Sequence, residues 1–307
     1  MTMLIPQIAA FDEISDRYDA ILCDIWGVLH DGLSSFADAS CCLASFRRRG
    51  GIVVLITNAP RPSTAVRRQL LKLGVSADAF DAIATSGDVT VQLIEERIDL
   101  PLLHIGPARD LSLFDAVEEA AGQRPALVPL EDATYAVCTG LREDTRETPL
   151  DYETELSALA ARSMTLLCAN PDLVIHRGGA VVYCAGALAR RYEELGGQVI
   201  YAGKPHSPIY QRAMTLAEDA RGAGIERRRV LAVGDGMKTD IAGATEAGFD
   251  ALFVTGGIHR AALHGEAVHS AADPDELQRL CRESSLWPVA AIPSLRCGAA
   301  IDESSKI

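Results

Sequence analysis

The feature that most constrains this chain is an alternation: short apolar runs that stop on a small or polar residue, separated by segments of helical spacing. Ala20-Ile-Leu-Cys-Asp24, Gly51-Ile-Val-Val-Leu-Ile-Thr57, Asp81-Ala-Ile-Ala-Thr85, Arg229-Val-Leu-Ala-Val-Gly-Asp235 and Ala251-Leu-Phe-Val-Thr255 are such runs. Their interiors are almost wholly apolar, which predicts strands buried on both faces in a parallel sheet covered by helices. Ser63 to Leu73 predicts one of those helices: Ser63 can cap its first turn, Val66, Leu70 and Leu73 make an apolar stripe, and Gly74 ends it. The fold class that follows is α/β with a parallel sheet.

The middle of the chain repeats the alternation, with strands near Leu102 to Ile105, Tyr135 to Thr139 and Thr165 to Cys168, and helices near Leu150 to Arg162 and Ala185 to Leu195. No Gly- or Ser-rich linker sets this segment apart, so it reads as an insertion into a first domain rather than a bead on a string. The expected division is a core from residues 1–85 and 191–307 with an inserted α/β domain over 86–190.

Composition bounds the function classes. Lys and Arg number 29 against 42 Asp and Glu, a net charge of −13, which disfavours nonspecific binding to nucleic acid or anionic membrane. The triplets Arg47 to Arg49 and Arg227 to Arg229 read as solvated charge near helix ends or loops. The N-terminus has no basic residue before Arg17 and does not read as a signal peptide, and the longest apolar stretch, Ala180 to Ala189, is too short to span a membrane. Eight cysteines never form a CxxC pair, so zinc and redox motifs are not expected, and the thiols read as reduced and mostly buried in a cytoplasmic protein.

In an open parallel sheet, ligands bind beyond the carboxyl ends of the strands. Here those ends and nearby loops offer Asp24, Thr57-Asn58, Lys204 and Asp235 to Asp240: a carboxylate able to attack or bind metal, hydroxyl and amide donors, an ammonium and further carboxylates. That inventory suits phosphoryl transfer, in which positioning and electrostatic stabilisation of three charged oxygens do most of the catalysis. A carboxylate nucleophile is repelled by a phosphate unless a hard cation such as Mg²⁺ bridges them. Each piece alone also has an ordinary structural role as a turn residue or a solvated charge; their order along the chain is what singles them out. A nicotinamide dehydrogenase shares this kind of sheet, but no GxGxxG follows the first strand.

Taken in order, DIWGVLHDG, TNAP, GKP and GDGMKTDIAGA resemble the four motifs of the haloacid dehalogenase (HAD) superfamily. The inserted segment, with CANPD followed by GGAVVYCAGALARRYEE, resembles the cap of its class IIA, the NagD-like sugar and nucleotide phosphatases. The resemblance implies a doubly wound, Rossmann-like core with a class IIA cap. It implies Mg²⁺-dependent hydrolysis of a small phosphorylated metabolite through an aspartyl-phosphate on Asp24. Thr57 and Asn58 would then bind the phosphoryl group, Lys204 would steady its charge, and Asp24, the Trp26 carbonyl, Asp235 and Asp240 would form the metal site, with Asp240 as an outer carboxylate there or a partner for Lys204. A homo-oligomer assembled through the cap is compatible with the resemblance.

One departure stands out. The family carries a second Asp two residues after the nucleophile, which shuttles the proton, and this chain has Trp26 there. Three readings follow: a phosphatase with a good leaving group or a proton from His30 or Asp31; a weak or inactive phospho-ligand-binding, regulatory protein; or an indole that stacks on the ligand. Elsewhere, His104 reads as a structural histidine, His206 as a structural residue with a place near the site as its alternative, and Asp172 as either a turn cap or a residue at the substrate entrance. His259, His264 and His269 show no metal-ligand spacing.

Overall fold

An apolar run such as Ala20-Ile-Leu-Cys cannot face water on either side, and in the computed structural model, which describes residues 4–177, 180–265 and 270–298, it lies wholly buried. It forms strand β1 (Ala20–Asp24). Strands β2 (Ile52–Thr57) and β3 (Ala82–Thr85) follow, then β4 (Leu102–Ile105), β5 (Tyr135–Cys138) and β6 (Thr165–Cys168). The chain continues through β7 (Val174–Arg177), β8 (Ala180–Tyr183), β9 (Gln198–Tyr201), β10 (Val230–Gly234), β11 (Asp250–Val254) and β12 (Ala290–Ile292). The expected fold class holds: a six-stranded sheet in the order β12-β11-β10-β1-β2-β3 and a second sheet in the order β4-β5-β6-β9. Contact density divides the chain into a unit of residues 1–55, 70–82 and 213–307 and a unit of residues 56–69 and 83–212.

In the first unit β1, β10, β11 and β12 run parallel. The sheet order turns back at β1 and β10, since β1 continues towards β2 while β10 continues towards β11. The carboxyl ends of these two strands flank the point where a parallel sheet binds ligands.

The second unit is built on the parallel sheet β4-β5-β6-β9. Alternation along its strands serves two cores. Leu103, Ile105, Ala136, Cys138, Leu166 and Cys168 pack with Leu156 and Leu159 of helix Glu153–Ala161 and Leu188 and Tyr192 of helix Ala185–Glu194. Leu102, Tyr135, Val137 and Leu167 pack with Ile94 of helix Ser86–Glu95 and Phe114 and Val117 of helix Ser112–Ala121. Each fully buried Leu among them contributes roughly 1.5–3 kcal/mol. The sheet extends past residue 190, because Gln198–Tyr201 pairs with β6. Strands β7 and β8 form an antiparallel pair. Among the described residues no helix is long and apolar enough to cross a membrane. His269 and residues 299–307 of the C-terminal tail lie outside the described residues.

Candidate active site

Asp24 is the last residue of β1, and Asp235 follows the last residue of β10. Asp240 enters from the wide helical turn Met237–Ile241, which closes when its own amide and that of Ile241 donate to the Gly236 carbonyl. All three carboxylates are buried, and one oxygen from each lies within 4.8 Å of the others. At that spacing two like charges repel by about 3 kcal/mol per pair at an effective dielectric of ~20. An oxygen-only donor set of three carboxylates suits a hard divalent cation such as Mg²⁺.

Backbone groups fix the carboxylates. The Ile258 amide donates to Asp235 Oδ2 at 2.8 Å, and the Gly236 amide donates to Asp240 Oδ2 at 3.0 Å. The Thr239 hydroxyl also donates to Asp240 Oδ2, at 3.3 Å. The Asp235 carboxylate is gripped between Gly27, at φ +81°, and Gly257: a β-carbon on either would fall 2.0 Å from Oδ2. The turn after Asp24 therefore reaches Asp235 only because residue 27 lacks a side chain.

Trp26 leaves 44% of its surface exposed, and its indole stands edge-on to His30 with ring centroids 5.1 Å apart. His30 is buried, and its Nδ1 accepts the Gly32 amide at 3.0 Å, which places the proton of the neutral ring on Nε2. Burial lowers the His30 pKa, partly opposed by Asp31. Asp31 is exposed, and its Oδ1 accepts the amides of Leu33 and Ser34 at 2.8 Å each. These bonds hold its carboxyl below the usual range, so Asp31 folds the turn as an ionised acceptor.

In the second unit, Asn58 and Lys204 are bound to each other through the Lys204 backbone. The Lys204 amide donates to Asn58 Oδ1 at 2.7 Å, and Asn58 Nδ2 donates to the Lys204 carbonyl at 3.1 Å. The second hydrogen of Nδ2 goes to Asp172 Oδ1 at 2.9 Å. Both amide hydrogens of Asn58 are thus engaged, and Asp172 is tied into the same cluster. Lys204 is buried and precedes a cis peptide bond to Pro205. Thr57, also buried, accepts the Ala59 amide at 3.3 Å on its hydroxyl oxygen.

His104, His206, His259 and His264 have structural partners. His104 Nε2 lies 3.0 Å from the Thr139 hydroxyl and packs edge-on to Phe114. His206 stacks on Tyr201 at 4.4 Å, His259 packs against Phe253, and His264 Nε2 lies 2.9 Å from the Thr255 hydroxyl. Sequence reasoning missed the Ile258 amide and the Gly257 approach to Asp235, although the Gly256-Gly257 pair after β11 signals a close approach. It also missed Ser86, whose buried hydroxyl has no hydrogen-bond partner among the described residues and lies 2.9 Å from where a Gly203 β-carbon would stand.

Comparison with known proteins agrees with this architecture. A family model described as haloacid dehalogenase-like hydrolase matches residues 21–118, and a second, HAD-hydrolase-like model matches residues 201–279. A D-glycerol 3-phosphate phosphatase of Mycobacterium tuberculosis is 30% identical over 291 residues, covering 91% of this chain and 76% of that protein. A crystal structure of a haloacid dehalogenase-like hydrolase from Brucella suis 1330 is 41% identical, covers 94% of this chain and 99% of its own, and superposes with a TM-score of 0.79. NagD from E. coli K-12 shares the fold, with a TM-score of 0.63 at 22% identity over 90% of this chain and 96% of its own. The chain belongs to the haloacid dehalogenase-like hydrolases.

Proposed function

We propose that this protein is a phosphatase that hydrolyses a small phosphomonoester of the sugar phosphate or nucleotide class, with Mg²⁺ as cofactor and Asp24 as nucleophile. The observation that carries the reading is the buried trio Asp24, Asp235 and Asp240 at the switch point of the sheet. Its family relatives include the D-glycerol 3-phosphate phosphatase. In this reading Asp24, the Trp26 carbonyl, Asp235 and Asp240 hold Mg²⁺, which neutralises charge on the phosphoryl oxygens when bound.

The Asp24 carboxylate oxygen attacks phosphorus, and the bond from phosphorus to the ester oxygen breaks. The leaving oxygen takes a proton from water, because Trp26 has no acid to give. Water then attacks phosphorus in the aspartyl-phosphate, giving a proton to the hydroxide left by the first step, and the P–O bond to Asp24 breaks to release phosphate and restore the carboxylate. Thr57 donates to a phosphoryl oxygen and Lys204 offsets its charge, while Asn58 is a positioning residue that sets the Lys204 backbone. The segment 86–190 acts as the cap that selects substrate, and the protein works in the cytoplasm.

Trp26 also supports a second reading, a phospho-ligand-binding protein with little turnover. The two separate on phosphate release in excess substrate with Mg²⁺. Hundreds of turnovers exclude binding alone; saturable binding without product excludes the enzyme.

A further inference from the structure

The Cys42 and Cys297 sulfurs, 255 residues apart in sequence, lie 2.7 Å from each other, closer than unbonded thiols ordinarily approach. Both are free thiols. Cys42 sits on the buried face of helix Ala37–Arg48, whereas Cys297 is only partly buried and within reach of small solutes.

The segment bearing Cys297 is pinned on both sides of it. The Arg296 side chain donates to the Ala9 carbonyl at 2.9 Å, and the Arg296 carbonyl accepts the Phe11 amide at 2.8 Å. On the other side, the Gly298 amide donates to Asp12 Oδ2 at 2.7 Å. Neither sulfur is therefore carried by a loose chain end.

The charged and titratable groups around the pair are Asp12, Arg49 and Cys23. The hydrogen bond shared with Cys42 lowers the Cys297 thiol pKa, helped by Arg49 and opposed by burial and Asp12. The same bond and burial raise that of Cys42. Cys297, the more exposed of the two, is the sulfur that a small oxidant meets first, with Cys42 beneath it as its partner.

We propose that Cys42 and Cys297 form a reversible intramolecular disulfide, with a hydroperoxide as oxidant and a small thiol as reductant. The Cys297 thiolate attacks a peroxide oxygen, the O–O bond breaks, and the departing oxygen leaves protonated, giving a sulfenic acid. The Cys42 sulfur then attacks the Cys297 sulfur. The S–OH bond breaks, and hydroxide leaves as water with the Cys42 proton. The pair loses two electrons and two protons while hydrogen peroxide becomes two waters.

The bridge would tie helix Ala37–Arg48 to the segment after β12 and restrict the unfolded chain, so the oxidised protein should melt at a higher temperature. This departs from the expectation that all eight thiols remain reduced. It does not depend on the proposed catalysis.

The test is to treat the folded full-length protein with hydrogen peroxide, trap remaining thiols by alkylation, and read the intact mass and a non-reducing peptide map. Wild type and the variants Cys297→Ser, Cys42→Ala and Cys41→Ser are compared, each checked for folding by circular dichroism. The expected result is a monomer that loses two hydrogens and joins the Cys42 and Cys297 peptides. Dithiothreitol should reverse the change. It should persist in Cys41→Ser, vanish in Cys297→Ser, and be accompanied by a rise in melting temperature. Unjoined peptides with sulfinic acid on Cys297, a bridge through exposed Cys41, or a bridge between two chains would each overturn the proposal.

Discussion

A β-carbon on Gly27 would lie 2.0 Å from Oδ2 of Asp235, so the turn after Asp24 and the carboxylate after β10 fit together only while residue 27 has no side chain. The φ of +81° at Gly27 adds a backbone cost of about 1–2 kcal/mol for any other residue. Gly27→Ala should displace Asp235 and weaken Mg²⁺ activation by about 10–100-fold. Titrating activity against Mg²⁺ checks this; an unchanged midpoint would show that Asp235 tolerates the displacement.

Trp26 is open to solvent along much of its ring, so a polar residue can replace it without emptying a core. Trp26→Asp restores a carboxylic acid two residues after the nucleophile, and such acid–base help contributes about 10²–10⁴-fold. The gain should be large for alkyl phosphates, whose leaving oxygen needs a proton, and small for aryl phosphates, whose leaving oxygen does not. Comparing kcat on one ester of each kind tests the idea. An equal change on both would mean that Trp26 affects binding rather than proton transfer.

Asn58 binds the Lys204 backbone through both its donor and its acceptor. Asn58→Ala leaves the Lys204 amide without that partner, which costs about 1–3 kcal/mol. Loosening the Lys204 loop should also lower kcat by about 10²-fold, as misplaced catalytic groups do. Urea unfolding and steady-state kinetics measure the two effects; full activity in a destabilised variant would limit Asn58 to folding.

His104 contributes to acid sensitivity. Burial first, then Arg142, depresses its pKa from 6.5 to about 4. As pH falls below 6.5 the unfolded chain gains a proton that the folded one refuses until about 4, so stability is lost across that window. Between pH 7 and pH 5 the loss amounts to about 2 kcal/mol. His104→Gln should show a smaller loss by urea unfolding at the two pH values; an equal loss would assign the acid sensitivity elsewhere.

The core strands could be read from the chain because strands buried on both faces leave unbroken apolar runs, and their polar ends announced Asp24, Thr57 and Asp235. Strands β9 and β12 left weaker traces: Gln198–Tyr201 is a half-exposed edge strand, and Ala290–Ile292 is only three residues long. Strands β7 and β8 carry only the short β-branched pairs Val174-Ile175 and Val181-Val182, too little to stand out. The partners of the site residues could not be read at all. The Ile258 amide meets Asp235 across 23 residues and Asp172 meets Asn58 across 114, contacts that exist only once the chain has folded.

The most direct test of the central claim is phosphate release from a panel of small phosphomonoesters with Mg²⁺, wild type against Asp24→Asn. Wild type should turn over at least one ester and lose its Mg²⁺-dependent activity on chelation, and activity should fall by at least ~10³-fold in Asp24→Asn. Turnover that survives Asp24→Asn would contradict the claim, because a carboxamide at that position cannot form the aspartyl-phosphate.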